Sequence, residues 1–356
     1  MSALSSCFIS EHIYDINKNN KFYICIEQGT HVLPSYYNIL KLIISSNTLF
    51  STKIYASVEL RTVSAKNPLN FLKNIIYYRK IYENISLQLK IANANKVETR
   101  LWAPTTSRIW QLFKSNKNQL NIIEHGLGEY LLSINGKDKS LKALISKYIG
   151  SLFGYPSLSC FSEIWLCSNA VLIPPSQNII QINFENKFKS YVDNFWNIYQ
   201  QDYPESSSKL KSLISLVSLQ KEKVYLYLPC DEINEEKKEF FIKKQFLFHE
   251  LQKDSIFIIK NHPNELNANY EVYLNEHGKC ISIADECNSY IPVEFIARIL
   301  NVQNVIGSSS SALFYIKSWL KDVNVYIYNH YDDDMLTTEA ANLENQLQLL
   351  QGFENK

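Results

Sequence analysis

Glycine is scarce in this chain, with 9 among 356 residues, so each one outside a plain turn is informative. The residue's special property is backbone freedom, and a sequence that uses it rarely uses it for a reason. Long apolar runs are missing too. No stretch of 18 or more apolar residues occurs, so no transmembrane helix is expected. The chain does not open with a basic segment followed by an apolar one, which argues against a secretory leader. There is no CxxC pair, and the seven cysteines (Cys7, Cys25, Cys160, Cys167, Cys230, Cys280, Cys287) are odd in number. Several lie inside apolar runs, as Cys25 does in Phe22–Ile26. Reduced, buried thiols in a cytoplasmic protein are expected, rather than a disulfide frame or a zinc site. The net charge is only +1, from 36 basic and 35 acidic residues. Such a balance gives no electrostatic pull toward nucleic acid.

What the chain does have is 46% hydrophobic residues and a length that suggests two domains. Short apolar runs alternate with longer amphipathic ones, the pattern of α/β layers. In the first half, strands are expected at Phe22–Ile26, Lys53–Val58, Thr99–Trp102, Leu120–Glu124, Glu163–Cys167 and Asn178–Asn183. Helices are expected near Tyr36–Ile44, Asn70–Tyr82, Ser107–Lys114, Ser140–Leu152 and Lys187–Gln200. The polar stretch Gln201–Lys209, with Pro204 and three serines, reads as a linker. Strands then resume at Lys223–Leu228, Ser255–Ile259, Cys280–Ile283, Val302–Ile306 and Asn324–Tyr328. Helices are expected at Glu235–Leu251, Pro292–Leu300 and Ser310–Leu320, and an amphipathic tail helix at Thr337–Leu350. The expected division is residues 1–205, residues 206–330 and a tail of residues 331–356 that packs back on the first domain. This rhythm implies parallel sheets built through right-handed crossovers, two Rossmann-like domains facing each other across a cleft. Ligands of such sheets bind at the carboxyl ends of the strands.

Three motifs follow expected strands directly. In IFIIKNHP (256–263) a buried strand runs into Lys260, Asn261, His262 and Pro263. Pro263 keeps the preceding residue extended, so His262 would project from the strand end and could donate to a departing phosphate. Lys260 would add positive charge; a surface turn is the plain alternative. In VQNVIGSSSSAL (302–313), Gly307 and then Ser308, Ser309, Ser310 and Ser311 precede an apolar helix. Glycine permits close backbone approach, and hydroxyls beside free helical N–H groups make an anion site. A simple N-cap would need one serine, not four. In IIEHGLGEY (122–130) a strand runs into Glu124, His125 and Gly126. A carboxylate there could take a proton from an acceptor hydroxyl, with His125 and Glu129 as competitors.

Weaker signals surround these. Glu294 lies in the first turn of a helix opened by Pro292, where it could grip two ribose hydroxyls or simply pair with the helix dipole. His31 follows Gly29 after the first strand and could line the cleft. The triplet Asp332–Asp334 reads as an exposed acidic loop, and no metal site is expected. Leu141, Leu144, Ile145, Tyr148, Ile149 and Leu152 recur at helical spacing among Lys139, Lys142 and Lys147. They suit a core-facing helix, with an interfacial membrane helix as the sharper alternative.

In this order, Glu124-His125-Gly126, His262-Pro263 and Ser308–Ser311 resemble the motifs of the bacterial sialyltransferases and polysialyltransferases with a GT-B fold. The resemblance implies inverting transfer of sialic acid from CMP-sialic acid to a hydroxyl of a capsule or lipopolysaccharide glycan. Glu124 would be the base, and His262 the residue that aids phosphate departure. The Ser308–Ser311 run would hold the phosphate, Glu294 the ribose, and Pro229, Cys230 and Asp231 the nucleobase. No metal is implied. The implied partners are the nucleotide-sugar donor and a glycan acceptor, compatibly lipid-linked, with peripheral attachment at the inner face of the inner membrane. One departure stands out: the family's second acidic position is His125 here, which leaves His125 open as the base. Related transferases using CMP-Kdo, CDP-polyols or UDP-sugars share the pattern, as does a nucleotide-sugar epimerase. A non-catalytic nucleotide- or glycan-binding partner is the rival from another class.

Overall fold

The computed structural model of the chain describes residues 2–16, 18, 22–29, 34–47, 54–62, 100–103, 119–123, 163–167, 178–220, 223–229, 255–261, 278–283, 285, 287–308 and 311–328. These residues form two compact units, divided between Ile182 and Asn183.

The first unit opens with helix α1 (Ser2–Ile16), then β1 (Phe22–Gly29), α2 (Pro34–Ser45), β2 (Ile54–Thr62), β3 (Arg100–Ala103), β4 (Gln119–Ile123), β5 (Glu163–Leu166) and β6 (Asn178–Gln181). β1 and β2 pair in parallel, and β3-β4-β5-β6 form a second parallel sheet in chain order. Parallel neighbours need a crossover between them, which accounts for the long connections. α1 packs against α2, β3 and β4, burying Cys7, Phe8 and Ile9. α2, expected near Tyr36–Ile44, buries Ile39, Leu42, Ile43 and Ile44.

The second unit holds α3 (Glu185–Asp202), α4 (Pro204–Leu219), β7 (Val224–Leu228), β8 (Ser255–Ile259), β9 (Gly278–Ser282), a 3-10 turn (Asn288–Tyr290), α5 (Val293–Leu300), β10 (Asn304–Ser308), α6 (Ser311–Trp319) and β11 (Asn324–Tyr328). Its five strands are all parallel, in the order β11-β10-β7-β8-β9. Every residue of β8 is buried, as expected of a strand covered on both faces. Counted along the chain this order is 5-4-1-2-3, the doubly wound arrangement. The chain starts at β7, builds outward to β9, then returns to the other side of β7. The topological switch point therefore lies between β7 and β10.

Three expectations change. The segment expected as a linker, Gln201–Lys209, is helical: it is the end of α3 and the start of α4, broken only at Tyr203. Pro204 sits at the first helical position, where its missing N–H costs nothing, and Glu205 faces the helix dipole favourably. The serines bond back to the helix instead of loosening it: Ser207 Oγ donates to the Pro204 carbonyl at 3.0 Å and Ser212 Oγ to that of Ser208 at 3.1 Å. Second, the expected boundary between residues 205 and 206 falls inside this helical pair, and the units divide at Asn183. Third, Cys7 and Cys167 are buried thiols, whereas Cys280 and Cys287 are half-buried. No helix among the described residues is long and apolar enough to cross a membrane. The helices expected at 70–82, 107–114, 140–152, 235–251 and 337–350, the acidic triplet 332–334 and the tail 331–356 lie outside the described residues.

Candidate functional site

The site is built from strand ends of the second unit. β7 ends at Leu228, followed by buried Pro229, the first residue expected at the nucleobase. β10 ends at Ser308, and Gly307 pairs with Leu228. Thus Pro229 and Ser308 mark the ends of the two strands that flank the switch point. A Cβ placed on Gly307 would lie 2.9 Å from both the Cβ and the carbonyl oxygen of Leu228. The sequence suggested that this glycine lets a ligand approach; the neighbour it admits is the adjoining strand. Ser311 is the first residue of α6, so that helix begins three residues after the strand end. The positive dipole end of a helix N-terminus favours an anion there.

One strand over, β8 passes into Lys260 and Asn261, which are 6% and 5% exposed. The Lys260 backbone N–H still donates to the Tyr227 carbonyl at 3.0 Å, so the ladder continues one residue past β8. The Lys260 side chain turns inward, and its Nζ donates to the Ser289 carbonyl at 2.7 Å. Desolvation lowers its pKa to about 8, partly offset by the charge of Glu294. Glu294 is 3% exposed in the first turn of α5. Burial is the dominant cause and raises its carboxyl above the usual range; the Lys260 ammonium is the smallest of several effects that oppose it. Two residues expected separately are therefore both buried in this unit, and the charge of each acts on the other's titration.

The turn that accepts Lys260 is held from three sides, by residues the sequence reading did not single out. Asn288 is fully buried. Its Oδ1 accepts from the Tyr199 hydroxyl at 2.8 Å, and its Nδ2 donates to the Ser206 carbonyl at 3.0 Å and to the Asp285 carboxylate. Asp285 Oδ1 in turn accepts the backbone N–H groups of Cys287 at 2.9 Å and Asn288 at 2.7 Å. An Asp three residues before an Asn is a turn-forming signal, readable in principle. That it would tie α3 and α4 to this turn is not.

In the first unit, Gly29 is the last residue of β1, and β4 ends at Ile123. Asn121 on β4 is fully buried, and neither its Oδ1 nor its Nδ2 has a hydrogen-bond partner. His31, Glu124, His125, Gly126, Cys230, Asp231, His262, Pro263, Ser309 and Ser310 lie outside the described residues.

No protein-family model matches the chain, and no curated protein matches it. Among solved structures it is similar to the crystal structure of an alpha/beta-galactoside alpha-2,3-sialyltransferase from the luminous marine bacterium Photobacterium phosphoreum. The TM-score is 0.53 over 95% of this chain and 97% of that one, at 14% identity. The likeness is one of fold, and with the parallel sheets described above it fits a GT-B-type architecture.

Proposed function

We propose that this chain is an inverting glycosyltransferase that moves sialic acid from CMP-sialic acid to a hydroxyl of a bacterial surface glycan, capsular polysialic acid or lipopolysaccharide. The observation that supports the reading is the strand order of the second unit, in which β7, followed by Pro229, and β10, ending at Ser308, flank the switch point. The fold likeness to a sialyltransferase supports the same class.

In the proposed reaction the acceptor hydroxyl oxygen attacks the anomeric carbon, and the bond from that carbon to the phosphate oxygen breaks. Glu124 takes the hydroxyl proton. CMP leaves as an anion, stabilised by His262 and by the hydroxyls and amides of Ser308–Ser311 at the start of α6. Glu294 holds the ribose, and Pro229 with Cys230 and Asp231 meets the base. Gly29, His31, His125 and Gly126 line the acceptor side. The leaving group carries a single phosphate, so the scheme needs no metal. A lipid-linked acceptor would bring the enzyme to the inner face of the membrane as a peripheral protein.

The test is transfer itself. Purified protein with CMP-sialic acid and sialyl or galactosyl acceptors releases CMP and extends the glycan, with undiminished rate in EDTA. Glu124→Ala and His262→Ala each lower kcat by about a hundredfold or more, the usual range for a general base or acid. Transfer from a UDP-sugar, with none from CMP-sialic acid, would overturn the donor assignment.

A further inference from the structure

α5 is eight residues long, and an isolated helix of fewer than roughly 12 residues has little stability of its own. Its position is set by what holds it. From the end of β9 to the start of β10 the chain returns past β8 and β7, so α5 begins at the carboxyl end of the sheet. That is the end at which a ligand of such a sheet binds. We propose that Asn288 is a positioning residue of the nucleotide site: it fixes the segment by which the chain enters α5, and with it the placing of Glu294 against a ribose. This rests on the nucleotide reading given above.

Asn288 is fully buried, and both polar atoms of its side chain are engaged. Oδ1 accepts from the Tyr199 hydroxyl of α3 at 2.8 Å. Nδ2 donates to the Ser206 carbonyl in the first turn of α4 at 3.0 Å, and to the Asp285 carboxylate. The backbone N–H of Asn288 donates to Asp285 Oδ1 at 2.7 Å, and its carbonyl accepts from Ile291 N–H at 3.2 Å. One residue thus joins two helices, the exit from β9 and the entrance to α5. Next to it, the Ser289 carbonyl accepts from Lys260 Nζ at 2.7 Å, which ties the same turn to the end of β8. The path on to Glu294 is short and stiff. Pro292 follows Ile291 with its φ fixed by the ring, and its carbonyl accepts from Phe295 N–H at 2.9 Å and Ile296 N–H at 3.1 Å. α5 itself is gripped through Phe295, whose ring lies 5.8, 6.0 and 5.0 Å from those of Phe188, Tyr191 and Phe195 on α3. Packed rings tolerate small shifts, whereas a fully satisfied buried polar network specifies one arrangement. The rings hold α5 to α3; the Asn288 bonds set where it starts.

The test is discrimination at the ribose, which a purely structural role would leave alone. Calorimetry measures binding of CMP, 2′-deoxy-CMP, UMP and 2′-deoxy-UMP to wild type, Asn288→Ala and Tyr199→Phe, each below its melting temperature. Wild type prefers the ribonucleotide by about tenfold or more, the worth of one hydrogen bond to a charged acceptor. Asn288→Ala binds CMP about tenfold more weakly and 2′-deoxy-CMP within about twofold of wild type, so the preference is lost. Tyr199→Phe, which removes one of the bonds and keeps the ring, falls between. A preference kept in Asn288→Ala, or an equal weakening of both nucleotides, overturns the role of Asn288. If Asn288→Ala does not fold, Tyr199→Phe decides, and a wild-type preference in it overturns the role. A wild type that binds nucleotides without preferring ribose overturns it as well. Binding of UMP but not CMP overturns the donor assignment and leaves the uridine pair to decide on Asn288. A wild type that binds none of the four overturns the nucleotide reading and this inference with it.

Discussion

A methyl group added at Gly307 would lie 2.9 Å from two atoms of Leu228, one of them backbone. Strand β10 cannot move away without breaking its pairing with β7, so Gly307→Ala is expected to cost roughly 1–3 kcal/mol. Urea denaturation measures it, and a neutral substitution would show that the strand ends yield. Lys260 makes a prediction with a definite sign. Its folded pKa, about 8, lies below the 10.5 of an ordinary lysine. Between those two values the unfolded chain binds the extra proton, so stability rises with pH there. Wild type therefore gains thermal stability relative to Lys260→Met as pH rises from about 8 to about 9.5. A constant difference would show that the ammonium is not desolvated. Asn121 is buried with no partner for either polar atom of its amide. Asn121→Leu, close to it in size and apolar, is expected to raise stability by roughly 1–2 kcal/mol. A loss in the same melt would show that the amide is satisfied.

At the scale of elements, the strands were readable because burial wrote them as short apolar runs. β8 and β11 occupy the expected residues, Ser255–Ile259 and Asn324–Tyr328. β10 is displaced from the expected Val302–Ile306 to Asn304–Ser308. The reason is local: Asn301 caps α5 in a left-handed conformation, φ 53°, and Val302 donates back to the Ala297 carbonyl, so the first two residues belong to the helix end. α4 was misread because proline and serine are ambiguous letters, breakers in a loop and good partners in a helix's first turn. α1 carries no acidic first turn and no basic last turn to mark it, and it went unread. Within the site, single residues were legible from their place after strands. The pairing of Lys260 with the turn before Glu294 spans 29 residues, and no periodicity encodes it. The same holds for Tyr199 and Asn288, 89 residues apart. Tyr199→Phe keeps the ring stacked on Phe195 and Tyr203 but leaves Asn288 Oδ1 unsatisfied. It is expected to destabilise the protein by about 1–2 kcal/mol in urea. An unchanged midpoint would mean that the turn is not held from α3.

For the whole molecule, what matters is that chain order and strand order disagree in one place. β7 begins the second unit's sheet yet lies in its middle, with β8 on one side and β10 on the other. At such a switch point the connections after the two strands go to opposite faces of the sheet, and the nucleotide proposed above would lie between them. The sequence supplies that place with Pro229, a glycine fitted to its neighbour and a run of four serines, the last of which opens a helix. The most direct measurement is the melting temperature of the purified protein with CMP, CDP, UDP and GDP at saturating concentration. A ligand that binds only the folded state adds about 2.7 kcal/mol of stability at a hundred times its dissociation constant. A clear upward shift with CMP, lost in His262→Ala, is the expected result. No shift with any of the four would contradict a nucleotide site at the switch point.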